Sequence, residues 1–564
     1  MLKEFIRNER IAYFSMEIAL QNDIPTYSGG LGVLAGDTIR SAADLEMPMV
    51  AVTLVSRLGY FRQTIDEHGG QLEQPDPWQP QRYARPLPAK VAVPIGTRSV
   101  WVSGWLYILK GHTGGRQPVL LLDTDLDENS EEDRSITNHL YGEGDDYRLK
   151  QEIVLGIGGV RLLHALGFNV RQYHLNEGHS ALLTLELLHR FAYPENDVRP
   201  GESAYDVPRV REMCNFTTHT PVEAGQDKFS YELMSSLLGD FIEQETVERL
   251  AGRGECNMTR LALNMSDYVN GVAKLHAEVS RRMFPGYRVR AITNGVHPHT
   301  WTSLPFRRLY DAHLPGWCHE PEQLVRADCC IAKKDVWQAH IEAKAALIAL
   351  INERCGVMLD AQIPIVGFAR RMTAYKRPEL LFEDIDRLCE ISRRFPFQIV
   401  YSGKAHPQDT PGKALILRLH ALMGQLEGII PTVFLPNYDL EVALRLVSGS
   451  DIWLNSPLRP FEASGTSGMK AAFNGVPNLS VPDGWWVEGC IEGVTGWAIG
   501  ESNEVGNGSD ATSLYRKLDE VVLPMYHQDR EAWIAVMQGA ISKNASIFNS
   551  HHMMRRYAAD AYIR

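Results

Sequence analysis

The chain has 564 residues, 44% of them hydrophobic and 22% charged, the proportions of an ordinary folded protein. Intrinsic disorder and fibrous architecture are excluded, and a chain this long buries a sizeable core without covalent staples. Its 57 basic and 69 acidic side chains leave a net charge of −12, so neither a nucleic-acid footprint nor a polybasic membrane patch is expected.

No apolar run approaches the roughly 20 residues that span a bilayer, and the first five residues carry no signal-peptide core. A soluble intracellular protein is expected. Taken in chain order, the patterning predicts strands at Ile11–Met16 and Met47–Val55, then Val119–Leu122. Helices follow at Lys150–Ala165 and Ala181–Arg190, with strands at Met213–Thr217 and Val289–Ile292. The second half predicts a helix over Val336–Arg354 and strands Ile363–Phe368 and Gln398–Ser402. A helix at Lys413–Leu426, strand Thr432–Leu435, helix Leu440–Leu446 and strand Ile452–Asn455 complete it. Strands alternating with helices predict an α/β protein with parallel sheets covered on both faces. A break near Pro298–Pro305 divides residues 1–300 from 301–564. Each half has room for one doubly wound sheet, the strand ends of both facing a shared cleft. A terminal helix with Met553, Tyr557 and Tyr562 on one face is assigned to the second half, although periodicity alone leaves a return to the first half open.

Eight cysteines without a CxxC pair point to a reducing compartment, and the adjacent Cys329 and Cys330 suit neither a bridge nor a chelate. His174, Glu177 and His179 have the residue types of a metal site, but loop hydrogen bonding is the preferred reading and no metal is expected.

Three segments concentrate groups suited to anions. Glu462-Ala463-Ser464-Gly465-Thr466-Ser467-Gly468-Met469-Lys470 follows a strand, and small residues before a helix leave backbone amides free for negative charge. Lys470 supplies an amine able to bond an aldehyde cofactor, while an ordinary glycine-rich turn fits the spacing as well. Tyr27-Ser28-Gly29-Gly30-Leu31-Gly32 is a second cradle, equally readable as a tight turn. Arg370, Arg371, Lys376 and Arg377 place four cations just beyond the strand Ile363–Phe368, suited to a phosphate or carboxylate. In the first half, His219 and Asn294 follow predicted strands, where polar side chains suit sugar hydroxyls.

Together these segments resemble the α-glucan (glycogen, starch and maltodextrin) phosphorylases, closest to their short microbial branch. The similarity runs from Tyr13-Phe14-Ser15-Met16-Glu17 to the helix around Lys470. It implies a glycosyltransferase-B architecture, two Rossmann-like domains facing a cleft, with pyridoxal phosphate beneath the cleft on Lys470. Arg370, Thr466 and Ser467 match positions around the cofactor phosphate. Gly30, Arg371 and Lys376 match those around the substrate phosphate, with Gly30 counted beside the cofactor too. His219, Asn294, Glu462, Ser464 and Gly465 match the pocket of the transferred glucosyl unit. The catalytic set implied is Lys470, Arg371, Lys376, His219 and Glu462. The partners implied are an α-1,4-glucan or maltooligosaccharide and inorganic phosphate, with a homo-oligomer left open.

Three features depart from the longer enzymes. Ser467-Gly468 stands where Gly-Asn is usual, and Arg370 stands where a lysine is common. The chain is also shorter, so no animal-type phosphorylation or nucleotide switch is carried over. The rival reading is a nucleotide-sugar-dependent glucan synthase on the same fold, and a silent glucan-binding protein is the third.

Overall fold

The computed structural model describes residues 2–199, 202–222, 225–500 and 507–563. Its apolar segments pair into two separate larger sheets. The first contains β1 (Ile11–Phe14), β2 (Met49–Leu54), β3 (Arg98–Lys110), β4 (Arg116–Asp123), β5 (Gln172–Asn176), β6 (Cys214–Thr217), β7 (Tyr268–Gly271) and β8 (Arg290–Ala291). They lie in the order β8-β7-β6-β5-β1-β2-β4-β3. Only β3 against β4 is antiparallel within this series, and the strands Arg85–Pro86 and Val91–Ile95 extend that edge antiparallel. The second sheet contains β9 (Ile365–Ala369), β10 (Gln398–Ser402), β11 (Thr432–Leu435), β12 (Ile452–Asn455), β13 (Asn478–Ser480) and β14 (Gly496–Ala498). Its order is β11-β10-β9-β12-β13-β14, all parallel.

The central strands bury both faces, which is why they appear in the sequence as unbroken apolar runs. In β1, Ala12 and Phe14 enter the core on one side, and Ile11 and Tyr13 the core on the other. In β9, Val366 and Phe368 face one core, Ile365 and Ala369 the opposite one. By contrast β3, unpredicted from sequence, alternates buried Val100 and Val102 with exposed Ser99 and Trp101, the pattern of an edge strand with one wet face.

Both sheets reverse their strand order once. Numbered within its own half, the second sheet runs 3-2-1-4-5-6, so its chain turns back between β9 and β12. The first reverses between β1 and β5. Ligands bind open parallel sheets at such points, because neighbouring loops leave in opposite directions and open a crevice.

Three helices border that crevice or join the two halves, α1 (Gly30–Asp44), α3 (Ser467–Ala472) and α4 (Ser550–Tyr557), while α2 (Lys333–Cys355) packs on the second sheet. The break expected near Pro298–Pro305 is helical instead: Pro298–Trp301 and Leu304–His313 are short helices with proline in the first turn, where its missing N–H costs nothing.

The assignment of the terminal helix to the second half is corrected. Met553, Tyr557 and Tyr562 pack in the first half's core, with Ile39 of α1 and Tyr13 of β1. The Tyr562 hydroxyl lies 2.6 Å from His174 Nδ1, and the Tyr557 hydroxyl accepts from Asn270 Nδ2 at 3.0 Å. The first sheet's face needs this apolar cover, and the chain returns to supply it. The return passes against the outgoing crossing, where Val296 bridges Asn549; a Cβ on Gly295 would lie 2.1 Å from the Asn549 carbonyl carbon. Among the described residues no helix is long and apolar enough to cross a membrane.

Candidate functional site

A cavity of about 740 Å³ opens where the two reversals face each other. All twelve residues nominated from sequence line it.

From the first half, Glu17 leaves β1 and organises the glycine loop. Its Oε2 accepts from Ser28 N at 2.5 Å and Gly29 N at 3.2 Å, and its Oε1 accepts from the Tyr141 hydroxyl at 2.9 Å. The loop is thereby drawn across the cavity floor. At Gly30, where α1 starts, a Cβ would meet nothing within 4 Å, so the backbone faces open space. At Gly29 a Cβ would lie 3.3 Å from Arg371 Nη2, and glycine there lets the opposite half's guanidinium come close.

His219 follows β6. Its backbone N–H donates to Glu177 Oε2 at 2.7 Å and its Nε2 is hydrogen-bonded to Asn176 Oδ1 at 2.6 Å. Burial pushes its pKa down to about 3, with neighbouring His276 and His174 adding to it; the ring is neutral. Glu177 adopts a left-handed φ of 70°, and its carboxylate also accepts from Thr220 Oγ1 at 2.9 Å. His179 lies 3.3 Å from Asp227, and His174 bonds Thr217 Oγ1 at 2.9 Å; the three residues weighed as a metal cluster face different neighbours. Asn294 is buried, and its Oδ1 has no partner among the described residues.

From the second half, Arg370 and Arg371 follow β9. Arg370 Nη2 donates to Glu462 Oε2 at 2.6 Å, while its buried Nη1 has no partner among the described residues. Lys376 Nζ is paired with the same Glu462 oxygen. Burial raises the Glu462 carboxyl, but Arg370 and Lys376 outweigh it and hold the group below the ordinary range. Arg371 is different: among the described residues nothing hydrogen-bonds its guanidinium. Its side chain is exposed to the cavity; the crowded cleft walls take away some hydration and disfavour its charge, yet Glu17 and the phenols of Tyr375 and Tyr60 hold its pKa above the ordinary value. Arg377, the fourth cation of the run, turns away. It takes a left-handed φ of 44° and donates to Ser456 O, Pro457 O and Asp510, so it braces the loop rather than lining the cavity.

The segment after β12 supplies the rest. Gly465 has a left-handed φ of 82°, which turns the chain between Glu462 and α3. The Ser464 hydroxyl is buried and, among the described residues, unpartnered, and Thr466 stands at the N-cap position of α3 without a side-chain capping bond. Ser467 Oγ accepts from Trp453 Nε1 at 3.1 Å. A Cβ on Gly468 would lie 2.2 Å from Asn478 Oδ1, so the Ser467-Gly468 departure has a local packing reason. Lys470, on α3, is 6% exposed. Its Nζ stands 3.8 Å from the centre of the Trp301 ring, and no hydrogen bond or ion pair reaches it among the described residues. Burial lowers its pKa to about 8.

Sequence reasoning gave no role to Glu17, though it closes the run Tyr13-Phe14-Ser15-Met16-Glu17, nor to Tyr60, Tyr141, Lys404, Tyr438 and Trp301, which also line the cavity. Lys404 and Tyr438 leave the ends of β10 and β11, and strand-end position was the available signal. A second cavity of about 630 Å³ shares Tyr27, Tyr60, Lys404 and Tyr438 with the first and adds Phe61, Trp78 and Tyr83.

The chain is similar to known proteins over nearly its whole length. The family described as carbohydrate phosphorylase matches residues 240–514. A maltodextrin phosphorylase of Thermococcus litoralis is 39% identical over 98% of this chain and 70% of its own. A glycogen phosphorylase of Aquifex aeolicus is 34% identical over 98% of this chain and 86% of its own. One of Mycobacterium tuberculosis is 33% identical over 98% and 70%.

Proposed function

This chain belongs to the carbohydrate phosphorylase family, and from that premise we infer that it catalyses the reversible phosphorolysis of α-1,4-glucans to α-D-glucose 1-phosphate. The observation that carries the reading is the company Lys470 keeps: a buried amine without a partner, in one cavity with Arg370, Arg371 and Lys376. On this reading the two sheets are the Rossmann-like halves of a glycosyltransferase-B architecture, divided near residue 300, with α4 returning to the first.

The residues present fit pyridoxal phosphate. The Lys470 amine is free to bond its aldehyde, and the Trp301 ring offers a face beside it. The unpartnered Arg370 Nη1 and Ser464 Oγ are the kinds of donor a phosphate group satisfies, and Thr466 and Ser467 stand at the start of α3 beside them. When bound, the cofactor supplies a phosphate whose second pKa of about 6 lets it exchange a proton with a neighbouring phosphate.

Breaking a glycosidic bond needs a proton on the leaving oxygen and a partner for the anomeric carbon as it becomes positive. Glycosidases supply both from two free carboxylates. Here Glu17 is committed to loop amides, Glu177 to the His219 loop and Glu462 to two cations, which favours substrate phosphate as proton donor and then as nucleophile. Arg371 and Lys376 offset the repulsion between anions held close together, and Gly30 lets the phosphate approach backbone amides. His219, Asn294 and Gly465 border the space for the glucosyl unit; the neutral His219 ring and the unpartnered Asn294 Oδ1 suit its hydroxyls. Aromatic rings of the adjoining cavity suit further sugar units, and the partners proposed are a maltooligosaccharide or glucan and inorganic phosphate. A nucleotide-sugar synthase has no use for a buried, unpaired amine at position 470.

The test is an assay on maltooligosaccharides of graded length with inorganic phosphate. Glucose 1-phosphate should appear in proportion to chain shortening. Transfer from a nucleotide sugar without phosphate dependence would contradict the assignment.

A further inference from the structure

The place where the chain crosses between halves holds a second group of ionisable side chains that phosphorolysis does not use. Asp44 ends α1, His297 lies on the outgoing crossing three residues past Asn294, and His551 begins the returning α4. All three are buried, at 2%, 3% and 0% exposure. One atom from each falls within 4.8 Å of the others, although Asp44 and His297 are 253 residues apart in the chain.

We propose that Asp44, His297 and His551 form a binding site for one divalent transition-metal ion of the zinc class, which ties α1, the crossing segment and α4 together.

The spacing supports this. His297 Nε2 lies 2.9 Å and His551 Nε2 lies 3.6 Å from the same oxygen, Asp44 Oδ2. Tetrahedral zinc with bonds of about 2.0–2.1 Å holds its nitrogen and oxygen ligands roughly 3.3 Å apart, between those two values. His551 Nε2 is the second support. It is fully enclosed, points at a carboxylate too distant for a hydrogen bond, and has no other partner among the described residues.

The far side of each ligand is already held, as zinc ligands usually are. His297 Nδ1 lies 2.7 Å from Thr300 Oγ1, and His551 Nδ1 lies 3.1 Å from Ser41 Oγ. Asp44 Oδ1 accepts from Thr113 N at 3.1 Å. Thr300 N also lies 3.2 Å from His297 Nδ1. The metal-free tautomer therefore carries its proton on Nε2, toward Asp44. Binding needs that proton off Nε2: it shifts to Nδ1, where Thr300 Oγ1 can accept it, and the Thr300 N–H gives up its bond to Nδ1 in exchange for the Nε2–metal bond. A two-imidazole, one-carboxylate set suits zinc, with other divalent first-row ions competing by availability.

The test is titration of the purified, chelator-stripped full chain with Zn²⁺. One equivalent per chain should bind and raise the thermal unfolding midpoint. X-ray absorption at the zinc edge should count two imidazoles and at least one carboxylate oxygen. His551→Asn and Asp44→Asn should each lose the equivalent, while His68→Ala, at an exposed histidine, should keep it. A wild-type chain that takes up no equivalent overturns the proposal, as does an equivalent retained by both core variants. Should neither variant fold by circular dichroism, fewer than two imidazoles around zinc in the wild-type protein overturns it equally.

Discussion

Lys470 and Arg371 share an unusual condition: each lines the cavity as a cation, and among the described residues no anion is hydrogen-bonded to either, although Lys470 is buried and Arg371 is open to solvent. For Lys470 the consequence is chemical. Burial lowers its pKa to about 8, because a neutral amine loses less than an ammonium on leaving water. Cofactor attachment needs the neutral amine. Loading of cofactor-free protein, followed by absorbance, should therefore accelerate as pH rises to about 8 and then level off, whereas an ordinary lysine would keep gaining toward 10. A rate still climbing well above pH 9 would contradict the burial argument. For Arg371 the consequence is selective. Arg371→Ala removes no internal bond, so the unfolding midpoint should hardly move, while the KM for phosphate should rise roughly 10- to 150-fold, corresponding to about 1.5–3 kcal/mol for a charged hydrogen bond. Equal losses for phosphate and glucan would mark Arg371 as structural. Much of the cavity was legible at this scale, because residue type and position after a strand suffice to nominate Lys470, Arg371 or His219. What could not be read is direction: Arg377 stands beside Lys376 in sequence, and only its left-handed backbone sends it to Asp510.

Elements explain why a loop of small residues has a fixed shape. Ser28-Gly29-Gly30 has little side chain to pack, so its position depends on the amides that Glu17 accepts. Glu17→Ala would leave Ser28 N and Gly29 N without that acceptor. It should cost about 1–3 kcal/mol, the range for an orphaned buried donor, read as a lower unfolding midpoint. Phosphate KM should rise as well, since Arg371 rests against Gly29. A variant with unchanged midpoint and KM would mean that the loop holds itself. The same scale separates what periodicity reveals from what it hides. The predicted strands Gln398–Ser402, Thr432–Leu435 and Ile452–Asn455 coincide with β10, β11 and β12, because parallel strands buried on both faces leave an apolar run with clear ends. The Val289–Ile292 run shrinks to a two-residue β8, and β3, wet on one face, leaves no such run. The returning α4 was unreadable for another reason: Met553 and Tyr557 announce an apolar face but not which sheet lacks cover.

Over the whole molecule, the crevice persists only while each sheet keeps its strand order, and a buried ionic cluster braces the second. Asp451, just before β12, accepts from the Ile365 backbone at 2.8 Å and pairs with Lys344 and His340 of α2, each at 2.8 Å. Burial raises its pKa, but Lys344 and His340 outweigh burial and hold it well below the ordinary 3.8. A carboxyl depressed by folding stabilises the protein above its unfolded pKa, and that contribution fades as pH falls below about 4. Asp451→Asn should lower the unfolding midpoint at neutral pH and flatten its decline between about pH 4 and pH 2. A variant that keeps the wild-type acid slope would show that other carboxylates govern acid unfolding. The proposed function requires two sets of strand ends around one bound cofactor, and Lys470 is where that can be read directly. Borohydride reduction of the protein loaded with pyridoxal phosphate, followed by peptide mapping, should place one label per chain on Lys470. A label on any other lysine, or an active loaded protein that takes none, would contradict that placement of the cofactor.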